Sequence, residues 1–345
     1  MPAQEEQWTY IERYYKMGKC ALIFGVSGQD GSYLAKHLIE HGYDVIGTSR
    51  DAEASTFSGL ARLGVQSRVK TVSVTLTDFH SVLTVIKDYC PDEIYNLASQ
   101  SSVGLSFEQP VETIESIVLG TLNILEAIRF LNNRTTRFYS AGSSESFGET
   151  CTLGANECSP FRPKSPYGVA KASAHNLVQS YREAYDLFAC TGTLFNHESP
   201  LRPHRFVTQK IVTGAYQISC GVSDKLKLGN IDIERDWGWA PEYVVAMWKM
   251  LQQNDPQDYV IASGRTVPLR HLVEEAFRFF NLDYLDYVEI NDSLYRPSDI
   301  VLSKADPTKS WVKLGWKVNF SIEEVIVKMC QDHVDRNPKY LDSLK

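Results

Sequence analysis

No apolar run in the 345 residues is long enough to cross a membrane as a helix. Residues 1–19 also lack the basic start and apolar stretch of a secretory leader, carrying instead Glu5, Glu6 and Glu12 among aromatics. Paired cysteines are missing too. The seven, Cys20, Cys90, Cys151, Cys158, Cys190, Cys220 and Cys330, are scattered, odd in number, without a CxxC pair and without clustered histidines. That pattern points away from a metal site or a disulfide framework and toward reduced thiols in a reducing, cytoplasmic setting. Positive charge is in short supply: 35 Lys and Arg against 42 Asp and Glu leave a formal charge of −7. Such a chain has no general attraction for nucleic acid or an anionic membrane, so any anionic ligand must be held by a local cluster of cations. Internal repeats and low-complexity tracts are absent as well, which excludes solenoids and disordered scaffolds.

What is present is a hydrophobic content of 43%, enough for a large core, organised in alternation. Residues 20–24 (CALIF) form a short apolar run, followed by a glycine-spaced turn and then Leu34, Ala35, Leu38 and Ile39 at helical spacing. Strand patterns recur at residues 44–47, 69–74, 93–97, 137–140 and 189–195, with helix patterns at 79–88 and 111–130 between them. Alternation of this kind predicts an α/β fold, a parallel sheet covered by helices on both faces. Beyond Asn196 the regularity weakens under Pro200, Pro203, Pro241, Pro268 and Pro297, which predicts a smaller, partly interleaved second domain.

Two constellations carry chemistry. Gly25, Gly28 and Gly31 form a GxxGxxG between the first strand and the first helix, where glycines permit a tight turn, let backbone approach a pyrophosphate, and let the helix pack on the strand. The second strand ends in Thr48 and Ser49 with no acid for a ribose hydroxyl, and Arg50 follows, suited to a 2′-phosphate; Asp51 beside it opposes a second anion. The other constellation joins Ser143, Ser144 and Glu145 at a strand end to Tyr167 and Lys171, which stand four residues apart and so share one helix face. A phenol ionises near pH 10 and must be acidified to act as a base at neutral pH. A cation about 4 Å away contributes roughly 4 kcal/mol at an effective dielectric of 20, or about three pKa units. Lys171 is therefore expected to acidify Tyr167. Trp237 and Trp239 read as packing residues, and His197 as a hydrogen-bonded structural histidine.

With these residues in view, the chain resembles the GDP-mannose 4,6-dehydratase family of extended short-chain dehydrogenases over nearly its whole length after residue 18. The resemblance rests on residues 25–36 (GVSGQDGSYLAK), 94–103 (IYNLASQSSV), 143–148 (SSESFG) and 165–171 (SPYGVAK). It continues through 194–200 (LFNHESP), 206–211 (FVTQKI), 228–238 (LGNIDIERDWG) and Arg296-Pro297. It implies a Rossmann-type doubly wound parallel sheet: an NADP-binding domain at 19–200 plus about 236–262, and a nucleotide-sugar-binding domain at about 201–235 plus 263–338. An extension at 1–18 precedes them. NADP would be held by Gly25, Gly28, Gln29, Asp30, Gly31, Arg50, Leu97, Ala98, Tyr167 and Lys171. The nucleotide sugar would be held by Ser101, Ser144, Asn196, Lys210, Arg235 and Arg296, whose cations suit a diphosphate.

The implied reaction is a redox-neutral dehydration. Tyr167 would take the sugar O4 proton as hydride leaves C4 for NADP, with Ser143 hydrogen-bonding O4 and Lys171 holding Tyr167 and the nicotinamide ribose. Glu145 would remove the C5 proton, water would leave from C6, and hydride would return to C6. Some positions depart from the family pattern. Ser143 replaces a usual threonine, Thr75 stands where related chains carry an aspartate for the adenine amino group, and Pro203 and Gln209 replace glycine and arginine. A second arginine and a serine run past Arg50 are missing, which leaves a homodimer and a homotetramer both open. Open too are a dehydratase of another GDP-sugar such as a GDP-heptose, a GDP-4-keto-6-deoxymannose reductase, which shares the flavour of residues 142–145 and 165–173, and a non-catalytic NADP-binding subunit.

Overall fold

A computed structural model describes residues 18–337; the expected extension at 1–18 lies outside them except for Gly18. Its centre is a seven-stranded sheet, all of whose neighbouring strands are parallel. The strands are β1 (Cys20–Phe24), β2 (Asp44–Ser49), β3 (Val69–Ser73), β4 (Glu93–Asn96), β5 (Arg137–Ser143), β6 (Ala189–Leu194) and, after three strands that lie elsewhere, β10 (Tyr259–Ile261). They lie in the order 3-2-1-4-5-6-10. Every residue of β1 is buried, because alternate side chains serve two cores. Ala21 and Ile23 face a cluster with Leu34, Leu38, Tyr95, Tyr139 and Met247, whereas Leu22 and Phe24 face one with Val82, Ile94, Ile124 and Phe138. Each fully buried Leu, Ile or Phe contributes about 1.5–3 kcal/mol.

Helices longer than ten residues are numbered α1 (Gln29–Glu40), α2 (Phe79–Tyr89), α3 (Gly120–Phe130), α4 (Pro166–Tyr185), α5 (Val207–Ser219), α6 (Ala240–Leu251), α7 (Leu269–Phe279) and α8 (Ile322–Arg336). The strand order reverses between β1 and β4, and in such sheets ligands bind at the carboxyl ends of the strands at that reversal. A second, mixed sheet joins β7 (Asn196–Glu198), β9 (Glu234–Trp239), β11 (Thr266–Pro268) and β13 (Leu302–Ser303), and β8 (Leu226–Leu228) pairs with β12 (Val288–Ile290). Its core gathers Ile211, Leu272, Phe277, Ile326 and Met329 from α5, α7 and α8.

Several elements differ from their expected limits. The single helix expected over 111–130 is instead Pro110–Ile114, a wide π turn at Glu115–Leu119, and α3. There the hydroxyls of Ser116 and Thr121 donate to the carbonyls of Thr113 and Ile117, competing with the helical ladder. β5 runs three residues further than expected, to Ser143, because β6 continues to pair alongside it. β9 spans residue 236 and pairs only with strands of the second sheet, as does β7, while Leu314 and Trp316 pack into the first core.

Candidate active site

The glycine turn opens the site. Gly25 has φ +88°, and a Cβ there would stand 2.8 Å from the Ala98 backbone; at Gly31 a Cβ would stand 2.3 Å from the Gly25 carbonyl oxygen. Both conflicts are with backbone, so only glycine lets α1 start this close to β1 and β4. Gly28, at the N-cap, supplies no side-chain cap, so the first N–H groups of α1 are left for an anion. A turn so built fits the pyrophosphate of a dinucleotide.

Opposite stands the end of β5. Ser143 caps a single helical turn, Ser144–Ser146, by accepting from the Glu145 amide at 3.3 Å. The amino end of α4 packs directly on this turn: Ser165 caps the helix through the Gly168 amide at 3.0 Å, Pro166 fills its first position, and a Cβ at Gly168 would meet the Glu145 carbonyl at 2.6 Å. The residues SPYG thus form a helix start shaped to lie against Glu145, and this is what aims Tyr167 and Lys171 at the strand end.

Burial dominates the titration of these groups. Tyr167 is 8% exposed and Lys171 7%. Desolvation pushes the Tyr167 phenol up to about 12; a hydrogen bond with Ser143 pulls the other way, and the Glu145 charge adds to the rise. Lys171 is pushed down to about 8, again by burial. Its ammonium donates to the Ala141 carbonyl at 2.7 Å and lies 5.7 Å from the centre of the Tyr167 ring. Burial thus works against the acidified tyrosine expected from spacing alone, raising the phenol and lowering the lysine. Glu145 is likewise raised by burial, with Arg296 and Arg235 drawing it back.

All the residues singled out in the sequence line one cleft of about 1340 Å³: Gly25, Gly28, Gln29, Asp30, Gly31, Arg50, Leu97, Ala98, Ser101, Ser143, Ser144, Glu145, Tyr167, Lys171, Asn196, Lys210, Arg235 and Arg296. Their side chains are not all free to serve a ligand. Gln29 and Asp30 spend theirs on Ser199 and His197, which leaves backbone N–H groups for a cofactor. Arg235, only 3% exposed, donates to the carbonyls of Ile300 (2.6 Å) and Glu234 (2.9 Å) and to Asp299 (3.3 Å). Its guanidinium holds the loop bearing Arg296, which itself lies 3.6 Å from Asp299, so the two arginines share that carboxylate. Arg50 is exposed, 3.6 Å from Glu112. Trp239 packs on Phe320 and Trp237 is buried in the second core, as expected of packing residues.

Sequence reading overlooked Arg202, in the cleft wall, which pairs with the buried Glu198 at 3.2 Å and lies over the Phe206 ring at 3.7 Å. The signal was there in the basic spacing of Arg202, Arg205 and Lys210 directly after NHESP. Among the described residues no His, Cys, Asp and Glu cluster of metal-binding geometry occurs.

The sequence model of the family described as GDP-mannose 4,6 dehydratase matches residues 22–329. The chain belongs to this GDP-mannose 4,6-dehydratase family. It is 41% identical to GDP-mannose 4,6 dehydratase 1 of Arabidopsis thaliana, covering 93% of this chain and 91% of that one. It is 38% identical to the GDP-mannose 4,6-dehydratase of Vibrio cholerae, covering 92% and 94%. The fold is similar to that of dTDP-glucose 4,6-dehydratase of Bacillus anthracis, solved in complex with NAD, with a TM-score of 0.81 at 19% identity over 95% of this chain and 100% of that one.

Proposed function

We propose that the chain converts GDP-mannose to GDP-4-keto-6-deoxymannose, using bound NADP. The observation that carries this reading is Glu145, a cleft carboxylate fixed by the packing of Gly168 on its carbonyl and close enough to Tyr167 to raise the phenol. A simple dehydrogenase, served by Ser143, Tyr167 and Lys171, needs no such fourth group. The glycine turn, Leu97, Ala98 and Arg50 would hold the cofactor, and a bound nicotinamide supplies the hydride acceptor and donor. Ser143 hydrogen-bonds the sugar O4, whose proton passes to the Tyr167 phenolate while C4 becomes a ketone. Lys171 orients Tyr167 and offers its ammonium along the same face. The ketone acidifies C5, Glu145 takes that proton and passes it to the departing C6 hydroxyl, which leaves as water, and the C5–C6 double bond left behind would take the hydride at C6 and the proton held by Tyr167 at C5. Asn196, Ser101, Ser144, Lys210 and Arg296 face the sugar nucleotide, with Arg235 fixing the loop of Arg296. The first sheet serves the cofactor and the second the nucleotide sugar. Assembly as a homo-oligomer is supported by exposed Val111, Ile114 and Val169 on outer helices, and a cytoplasmic setting suits seven scattered cysteines without a CxxC pair.

Purified protein incubated with GDP-mannose is expected to release a 4-keto-6-deoxy product with no net consumption of NADPH, followed by mass spectrometry and absorbance. Stoichiometric NADPH oxidation with a 4-ketosugar would replace this reading with the reductase. NADP is preferred to NAD on the chemistry of the β2 end. The strand ends in Ser49, which bonds Ser55, rather than in an acid, and Asp51 beyond it is tied into its own turn, its Oδ1 accepting from the amides of Glu53 and Ala54 at 3.0 Å each. Arg50→Ala is expected to weaken NADP by roughly tenfold or more, the scale of a charge-assisted hydrogen bond, and NAD by less than about twofold. Calorimetry with both dinucleotides checks this, and equal losses would dismiss a 2′-phosphate contact.

A further inference from the structure

The first turn of α1 and the strand β7 belong to different sheets, yet they are joined side chain to side chain across 167 residues of sequence. His197 Nε2 lies 2.8 Å from the Asp30 carboxylate, and Nδ1 lies 2.7 Å from the Phe195 carbonyl oxygen. A carbonyl and an ionised carboxylate only accept hydrogen bonds, so both ring nitrogens must donate, and the ring must be an imidazolium. A neutral imidazole would set a lone pair against one of these oxygens in a place where the residue is only 7% exposed. The ring is further fixed by stacking on Tyr243, with centroids 4.6 Å apart. Beside it, Gln29 Nε2 donates to the Asp30 carboxylate (3.0 Å) and to the His197 carbonyl (3.2 Å), while Gln29 Oε1 accepts from Ser199 (2.8 Å).

We propose that His197 is a charged positioning residue whose ion pair with Asp30 clamps the phosphate-binding turn to β7, so that one contact sets the spacing between the cofactor and the Asn196 end of the substrate site. The proposal rests on the reading of that turn as a cofactor site. The groups facing the ring are Asp30 and Gln29 from α1, the Phe195 carbonyl, Arg202 from the loop after β7, and Tyr243 from α6. Burial opposes both charges, but each partner overrules it for the other, which leaves His197 above its usual value and Asp30 below. Both shifts favour the ion pair; the histidine's contribution is lost as pH rises through its raised value, and the aspartate's as pH falls through its lowered one.

Nitrogen NMR of the histidine rings in the ligand-free protein, with the signal assigned by comparison with His197→Gln, is expected to show both nitrogens of His197 protonated at neutral pH. A neutral tautomer would overturn the proposal without reference to any cofactor. Asp30→Asn gives a second arm with an informative sign. It removes a carboxylate beside the anion site, so electrostatics alone would leave NADP binding unchanged or tighter. The clamp instead predicts weakening of at least about fivefold by calorimetry, within the range of coupling between linked sites. Wild-type protein that binds NADP alongside an Asp30→Asn variant that binds it equally well overturns the clamp and spares the cofactor reading. Wild-type protein that binds no NADP removes that reading, and the ring protonation then decides the clamp alone.

Discussion

Tyr167→Phe is expected to lower turnover of GDP-mannose by about 10²–10⁴-fold, the usual scale for removing a positioned acid–base group, with the cleft unchanged. The substitution deletes one oxygen from a ring that is already buried, so packing against Ile117, Ala170 and Ala174 is kept. The pH dependence is the sharper part of the expectation. In the free protein the phenol is held near 12 and Lys171 near 8. The active form needs Tyr167 deprotonated and Lys171 protonated, so its population rises with pH until the lysine begins to lose its proton and then levels off. Wild-type kcat/KM, which reports the free enzyme, should therefore climb through neutrality and flatten near pH 8. Residual activity of Tyr167→Phe should lack that climb. A wild-type profile already flat below neutrality would mean that the phenol is ionised in the free protein, against the burial argument.

The reason this profile was not foreseeable from spacing marks the limit of the sequence. Tyr167 and Lys171 were legible because a four-residue interval fixes a shared helix face, and the CALIF run and glycine turn were legible because strand, turn and helix are local patterns. The parallel sheet followed from their alternation. What a pattern does not carry is depth. The same Tyr and Lys in water would attract each other as the sequence suggested, but here both lose hydration and Lys171 spends a proton on the Ala141 carbonyl. Backbone partners are similarly silent: nothing in the sequence marks the Ile300 carbonyl as the acceptor that occupies Arg235, 65 residues away. Arg235 lines the cleft, and its guanidinium is shared with the loop that carries Arg296. The same holds for Asp30, whose partner His197 lies in a strand of the other sheet. Ser143 and Glu145 were placed correctly because the strand end that holds them is local, although the close approach of Gly168 that fixes the turn comes from the tertiary packing of α4.

Glu145→Gln tests the step that separates a dehydratase from a dehydrogenase. Glutamine keeps the shape of the side chain, but it is not a proton acceptor for C5. Formation of the 4-keto-6-deoxy product is expected to fall by about 10²–10⁴-fold. Solvent deuterium should no longer enter at C5, while hydride removal from C4, which needs only Tyr167, Lys171 and Ser143, proceeds and leaves reduced nicotinamide visible in the bound state. Folding provides the internal control. A carboxyl whose value is raised by burial costs stability wherever it is ionised, so an uncharged glutamine should leave the melting temperature equal or higher. A variant that is as stable as the parent, oxidises C4 and exchanges nothing at C5 assigns the elimination base to Glu145. If exchange and product formation persist together, the base is another group in the cleft, and the case for a dehydratase would then rest on family membership without its structural support.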